Sequence, residues 1–279
     1  MRTPSPNDRP ALTDRDALTT RRGRALRRGP DDFLHRIAAA EVEDRLAEVN
    51  RRFTSQVVVA GLPELWQAYR PQARVIADDP VLDLQPGAYD LVIHAMALHW
   101  ADDPVGQIIQ CARALRPDGL FMAVLPGGET LAELRAALAE AEAAETGGLS
   151  PRVLPMAEIR DLGGLLQRSG LALPVADQLH LPASYRSVTD LARDLRGMGE
   201  TNVMAARLRR PTRRGVFARA EALLHDRFAD PDDPARFRTG FDLIFLTGWS
   251  PDDSQQKPLR PGSAQMRLAD ALNPDRNQP

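Results

Sequence analysis

Three stretches of this chain put reactive side chains where reactive side chains are useful. The first is His99-Trp100, which closes the apolar run Tyr89 to Leu98. A histidine at the end of a buried strand can act as a general base or orient a ligand, because its charge changes near neutral pH. It can equally be a packed imidazole, and Trp100 is more often a packing residue than a stacking one. The second is Gly127-Gly128-Glu129-Thr130, a turn whose free N–H groups could hold an anion or simply begin a helix. The third is the polar turn GMGETN, Gly197 to Asn202, followed by Arg207, Arg209, Arg210, Arg213 and Arg214. Arginines grouped in this way suit acidic protein patches or phosphate, and they also suit a solvated linker.

Other chemistries find less support. His35, His94, His99, His180 and His225 show neither an H-x-D/E pair nor H-E-x-x-H spacing, so no metal site is expected. Cys111 is the single cysteine, which excludes an internal disulfide, and its apolar helical setting points to an inert thiol. No G-x-S-x-G or P-loop occurs.

The elements that must position these residues follow from periodicity. Tyr89 to Leu98 and Leu120 to Leu125 are apolar runs of strand length, and between them Val105, Ile108, Ile109, Ala112 and Leu115 recur at helical spacing. Arg116-Pro117-Asp118-Gly119 stops that helix. Strand, helix, strand with short joints is a βαβ unit, so a parallel sheet lies at the centre of an α/β fold. Gln56 to Gly61 reads as an earlier buried strand, Ala73 to Ala77 as a brief one, and Phe237 to Trp249 as a late strand inserted antiparallel.

The 279 residues, 43% of them hydrophobic, can bury one large domain with a lid. A net charge of -2 argues against a nucleic-acid binder. No apolar run approaches a membrane span, and the N-terminus lacks a secretory signal, so a cytoplasmic protein is expected. The expected organisation is a mobile arm over 1–30, an N-terminal helix in 31–55, an α/β core over 56–185, a helical lid over 186–236, a last core strand in 237–250 and a loose tail over 251–279. The arm contains RRGRALRR, Arg21 to Arg28, either a solvated charged segment or a binder of an acidic partner or membrane surface.

These pieces resemble the class I S-adenosylmethionine (SAM) methyltransferase fold, a Rossmann-like sheet of seven strands with a late antiparallel one. YDLVIHAMALHWADDP, LRPDGLF, GGETLAELR, GGLSPR, DLGGLLQRSG, DLRGMGETN and LIFLTGWSPDDSQQKPLRPGSA are similar to the methyltransferase-like assembly factors of respiratory complex I. A more distant likeness is to the malonyl-carrier-protein methyltransferase of biotin synthesis. The resemblance implies SAM as cofactor and a complex I subunit or other client as partner. In the mitochondrial branch of the family it implies hydroxylation of a subunit arginine.

A SAM site requires a glycine-rich loop after the first strand and an acid on the next strand for the ribose. Here the loop reads Val59-Ala60-Gly61-Leu62-Pro63-Glu64, with one glycine and a proline that removes a donor. About fourteen residues separate Gly61 from the next strand, short for a full crossover. VIADDPVLDL matches the acidic turn after the family's third strand, which leaves the ribose acid without a counterpart and the cofactor loop shortened. Cofactor contacts then fall on Gly61, Asp78, Asp79 and Trp100, with His99 as the catalytic candidate. Asp78-Asp79 is either a residual nucleotide contact or a polar turn before Pro80. Three functions fit: a client-binding or client-modifying assembly factor, a SAM-dependent methyltransferase acting on a small-molecule or carrier-bound acid, and a scaffold or dimerisation module.

Overall fold

Short β-branched runs form the middle of a six-stranded sheet in the computed structural model, which describes residues 11–256. Strand β1 (Gln56–Ala60) pairs in parallel with β2 (Arg74–Ala77) on one side and with β3 (Tyr89–Ala95) on the other. Next come β4 (Leu115–Gly127), parallel to β3, then β6 (Phe237–Trp249), antiparallel to β4, and β5 (Ala172–Tyr185) at the edge. This is the expected Rossmann-like sheet with one strand fewer, since α3 (Pro63–Tyr69) is the only crossover between β1 and β2. Strand β5 runs along β6 over its whole length, with a register shift between Ala172 and Val175.

Side chains alternate across the sheet. Val58, Ile93, Met122 and Phe245 face a layer that includes α2 (Phe33–Glu48), α5 (Ala132–Thr146) and α8 (Arg214–Arg227). Val57, Val59, Val92 and Phe121 face α4 (Pro104–Ala114) and α6 (Ile159–Arg168). Cys111 is fully buried in the second layer, where burial raises its thiol pKa and leaves it inert. Val216, Ala220 and Leu224 of α8, with Val188 and Leu191 of α7 (Val188–Gly197), join the main core, so the expected lid is part of the sheet's cover.

The expected mobile arm is corrected. Residues Arg15–Arg28 form a helix, α1, capped by Asp14, whose carboxylate accepts from Ala17 N–H at 3.0 Å. RRGRALRR is its second half and faces inward at Arg22 and Ala25. Leu18 packs with Trp100, Leu154, Val203 and Met204. Backbone ties fasten the segment: Leu12 N–H and Thr13 N–H donate to Asp102 Oδ1, and Asp14 N–H donates to the Val203 carbonyl. The first ten residues, and the expected loose tail beyond 256, lie outside the described residues.

A docked helix and a mobile arm differ in one measurable respect. Leu18, 1% exposed, should on truncation to Ala destabilise the protein by about 2–4 kcal/mol in urea unfolding, as buried leucines do. No change in midpoint would mean that the helix is not docked in solution.

Candidate functional site

Strand β3 ends under strain. Met96 has φ 50, an uncommon backbone conformation for a side chain of its size, and the chain then turns through a short 3-10 helix (Leu98–Trp100) that presents His99 and Trp100 above the sheet. Both residues are gripped by one acid. Glu200 Oε2 lies 2.9 Å from His99 Nε2 and accepts Trp100 Nε1–H at 2.7 Å. Burial opposes the charge on Glu200, but His99, Arg22 and the Trp100 donor outweigh it and hold the carboxyl at about 2. His99 Nδ1 is buried without a hydrogen-bond partner. The arrangement is an imidazole oriented by a carboxylate on one nitrogen, with its other nitrogen unpartnered among the described residues.

Beside this pair opens a pocket of about 410 Å³. Leu34, Leu131, Leu134, Leu138 and Phe241 supply apolar wall, and His99, Trp100 and Glu200 lie on one side. Four arginines also line it. Arg152 is held by Glu142 and Arg207 by Asp14, whereas Arg21 and Arg196 have no ion pair among the described residues. The basic run after GMGETN thus finds its acid inside the chain: Arg207 and Arg209 meet Asp14 Oδ2 at 2.9 and 3.0 Å, and Arg213 donates to the Glu145 carbonyl.

The Gly127-Gly128-Glu129-Thr130 turn does hold an anion, and it is the chain's own. Asp242 Oδ2 accepts Glu129 N–H at 2.7 Å, and Gly128 (φ +52) gives it room, since a Cβ there would stand 2.7 Å from that oxygen.

The residues expected to contact a cofactor fare differently. Asp79 is exposed, and its carbonyl accepts from Gln107. Trp100 is buried in packing. Asp78 directly follows β2, the strand paired with β1. Its carboxylate is already taken up. Arg22 Nη1 lies 2.7 Å from Oδ1, Arg15 Nη1 lies 3.3 Å from Oδ2, and Arg15 Nη2 donates to the Asp78 carbonyl at 2.6 Å. Arg22 also covers Gly61, where a Cβ would fall 2.5 Å from its Cζ. The place above Gly61 and Asp78 is therefore filled by a guanidinium, and the residues present do not fit SAM in this arrangement.

Two buried imidazoles complete the site. His94, on β3, shares a 2.7 Å hydrogen bond with Gln107 Oε1; because Gln107 Nε2 donates to the Asp79 carbonyl, His94 Nε2–H must be the donor. His35 accepts from Trp66 Nε1 at 3.2 Å. Burial holds both near pKa 4, so both are neutral. Among the described residues no group of three or more His, Cys, Asp or Glu is placed to hold a metal ion.

Of the residues named from the sequence, His99 and Trp100 meet on Glu200 and Gly61 and Asp78 meet on Arg22, while Asp79 joins neither; Glu200 and Arg22 were missed. The acid inside GMGETN could have signalled Glu200. Nothing marked Arg22, one arginine among the many in its segment.

Comparison with known proteins bears on this geometry. Residues 33–123 match the Methyltransferase domain family model. The arginine-hydroxylase NDUFAF5 of Danio rerio is 33% identical over 224 residues, which cover 80% of this chain and 68% of that protein. The malonyl-[acyl-carrier protein] O-methyltransferase of Laribacter hongkongensis is 32% identical over 193 residues, covering 69% of this chain and 62% of that one. Among solved structures, the Burkholderia thailandensis 1,6-didemethyltoxoflavin-N1-methyltransferase aligns over 90% of this chain and 94% of its own at 15% identity, with a TM-score of 0.41.

The neutral imidazoles set the pH dependence. In the unfolded chain His35 and His94 titrate near 6.5, and in the native state near 4, so stability is fully present above about 6.5 and lost as pH falls toward 4. At pH 5 each should cost on the order of 2 kcal/mol. Glu200, lowered from 4.5 to about 2, adds a loss of the same sign at lower pH. Urea midpoints should drop from pH 7 to pH 5, and His94→Asn should flatten the drop; a flat profile in the parent protein would contradict buried neutral imidazoles.

Proposed function

Because the chain belongs to the family of the arginine-hydroxylase NDUFAF5, we propose that it is a methyltransferase-fold assembly factor for respiratory complex I. It holds or modifies a client subunit at the pocket beside His99 and Glu200, and it does not transfer a methyl group from SAM. The observation that carries this reading is the guanidinium of Arg22 over Gly61 and on Asp78, where a cofactor would have to lie. The glycine-poor loop at Gly61 and the single short crossover through α3 point the same way. The pocket has what a client segment needs, an apolar wall for a side chain, Arg21 and Arg196, which have no ion pair among the described residues, for an acidic or carbonyl partner, and a carboxylate-oriented imidazole. No helix among the described residues is long and apolar enough to cross a membrane. We place the protein in the cytoplasm, meeting its client before or during assembly.

A second reading is a SAM-dependent methyltransferase acting on a carrier-bound acid. The likeness to the malonyl-[acyl-carrier protein] enzyme favours it, as do the two unpaired arginines, which suit a carboxylate. Titration calorimetry separates the two: micromolar SAM binding, worth roughly -8 kcal/mol, would establish a cofactor site and favour the enzyme, and the first reading expects no heat.

Deletion of the coding region should lower NADH-dependent respiration and leave complex I incompletely assembled. Reintroducing the His99→Ala form should restore little of the assembled complex, while the parent gene restores it. Normal respiration with fully assembled complex in the deletion strain would defeat the assembly reading.

A further inference from the structure

The arginines around the pocket beside His99 divide into two sets. Arg22, Arg152, Arg207 and Arg209 each reach a carboxylate of the chain itself, that of Asp78, Glu142 or Asp14. Arg21, Arg24, Arg28, Arg196 and Arg214 are exposed and have no ion pair among the described residues. The second set frames the pocket. Arg21 and Arg196 line it, and Arg24 and Arg28, three and seven residues further along α1, continue the face that Arg21 presents. Helix α1 packs on α7, which carries Arg196. Arg214 stands one turn before Phe217 on α8, and Phe217 lines the same pocket while 44% exposed. A chain of net charge -2 thus gathers cations around one apolar hollow.

Such a frame carries its own repulsion, which a partner of opposite charge relieves, and guanidinium groups pair with carboxylates in forked contacts. Inside the frame, Leu131, Leu134, Leu138 and Phe241 offer hydrocarbon to a single side chain. Cations outside and hydrocarbon inside call for the complementary order in a ligand: an apolar group with carboxylates on both sides. An extended polypeptide supplies it directly, because successive residues lie about 3.5 Å apart. A bilayer would need apolar side chains on the outer face of α1, whereas Leu18 and Ala25 of that helix are buried against the protein. A nucleic acid would need rings on which to stack its bases, and Phe217 is the only exposed phenyl or indole ring that lines the pocket.

We propose that the pocket and its arginine frame are a docking site for an acidic polypeptide segment, which seats one apolar side chain among the leucines and lays flanking Asp or Glu side chains on Arg21, Arg196 and the outer face of α1. The proposal rests on the reading that this pocket receives a client, and it gives that client its chemistry.

The test is fluorescence anisotropy on the full chain with a fluorescein-labelled nonapeptide, one phenylalanine between two runs of four glutamates. Binding should saturate in the micromolar range and weaken severalfold between 50 and 200 mM NaCl. Serine in place of the phenylalanine should weaken it at least about tenfold, and lysines in place of the glutamates should abolish it. The double variant Arg21→Glu, Arg196→Glu should also lose at least about tenfold; because neither residue is buried or paired, it should melt with the parent. The peptide comparisons use the unaltered protein and decide the matter even if the variant melts lower. No saturable binding, equal affinity for the serine peptide, or unchanged affinity of the double variant would each overturn the proposal. So would displacement of the peptide by phosphatidylglycerol vesicles or by single-stranded RNA at lower concentration than by unlabelled peptide. In the deletion strain the double variant should restore little assembled complex I. If it restores all of it, the docking site fails and the assembly reading stands; if the deletion itself leaves assembly normal, the assembly reading fails and anisotropy alone decides the site.

Discussion

One buried carboxylate ties the molecule together. Asp78 sits at the carboxyl end of β2, almost out of solvent, and two arginines from α1 close on it. A charge in such a place is tolerated only when paired, and removing one partner from a buried pair is costly because the other is left exposed to a low dielectric. The constraint reaches in three directions. It fixes α1 across the sheet edge, it lays the Arg22 guanidinium over Gly61, and it brings Gly199 onto the stem of Arg22. Charge is balanced locally: the two arginines face Asp78, and Glu200, held ionised with help from Arg22 and His99, supplies the second negative group.

The sheet was legible because it is made of runs that have only one plausible use. QVVVA, YDLVIHA and FDLIFL are too apolar for a surface and too short for a buried helix, and each is a central strand. Helix α2 showed itself through Leu34, Ala38, Val42 and Leu46 at regular spacing, all buried. Helix α1 could not show itself in the same way. Its inward face is Leu18, Arg22 and Ala25, and the middle member is a charged residue that no hydrophobic count assigns to an interior. Strand β2, read from the sequence as the brief run Ala73 to Ala77, pairs with β1.

The site was half legible. His99 and Trp100 stood out as side chains at the end of a central strand, the edge where α/β sheets bind ligands. Their partner did not, because Glu200 is about a hundred residues away and only the fold brings it 2.9 Å from the imidazole. Several features that looked outward from the sequence are turned inward. Arg207 and Arg209, after GMGETN, bind Asp14, the anion in the Gly127-Gly128 turn is Asp242, and the basic half of α1 delivers Arg22 to Asp78. Local charge and turn chemistry identify what a segment can bind, but tertiary structure decides whether the partner comes from another molecule or from the same chain.

The Arg22–Asp78 pair and the pocket share neighbouring supports. Gly199, which packs on Arg22, is followed directly by Glu200, which fixes His99 and Trp100, and the Trp100 carbonyl accepts the Thr13 hydroxyl at 2.9 Å just ahead of α1. Withdrawal of α1 would remove Thr13 from Trp100 and Arg22 from Gly199 in one movement, loosening both supports of the imidazole. The helix that covers Gly61 and Asp78 thus also supports Trp100 through Thr13.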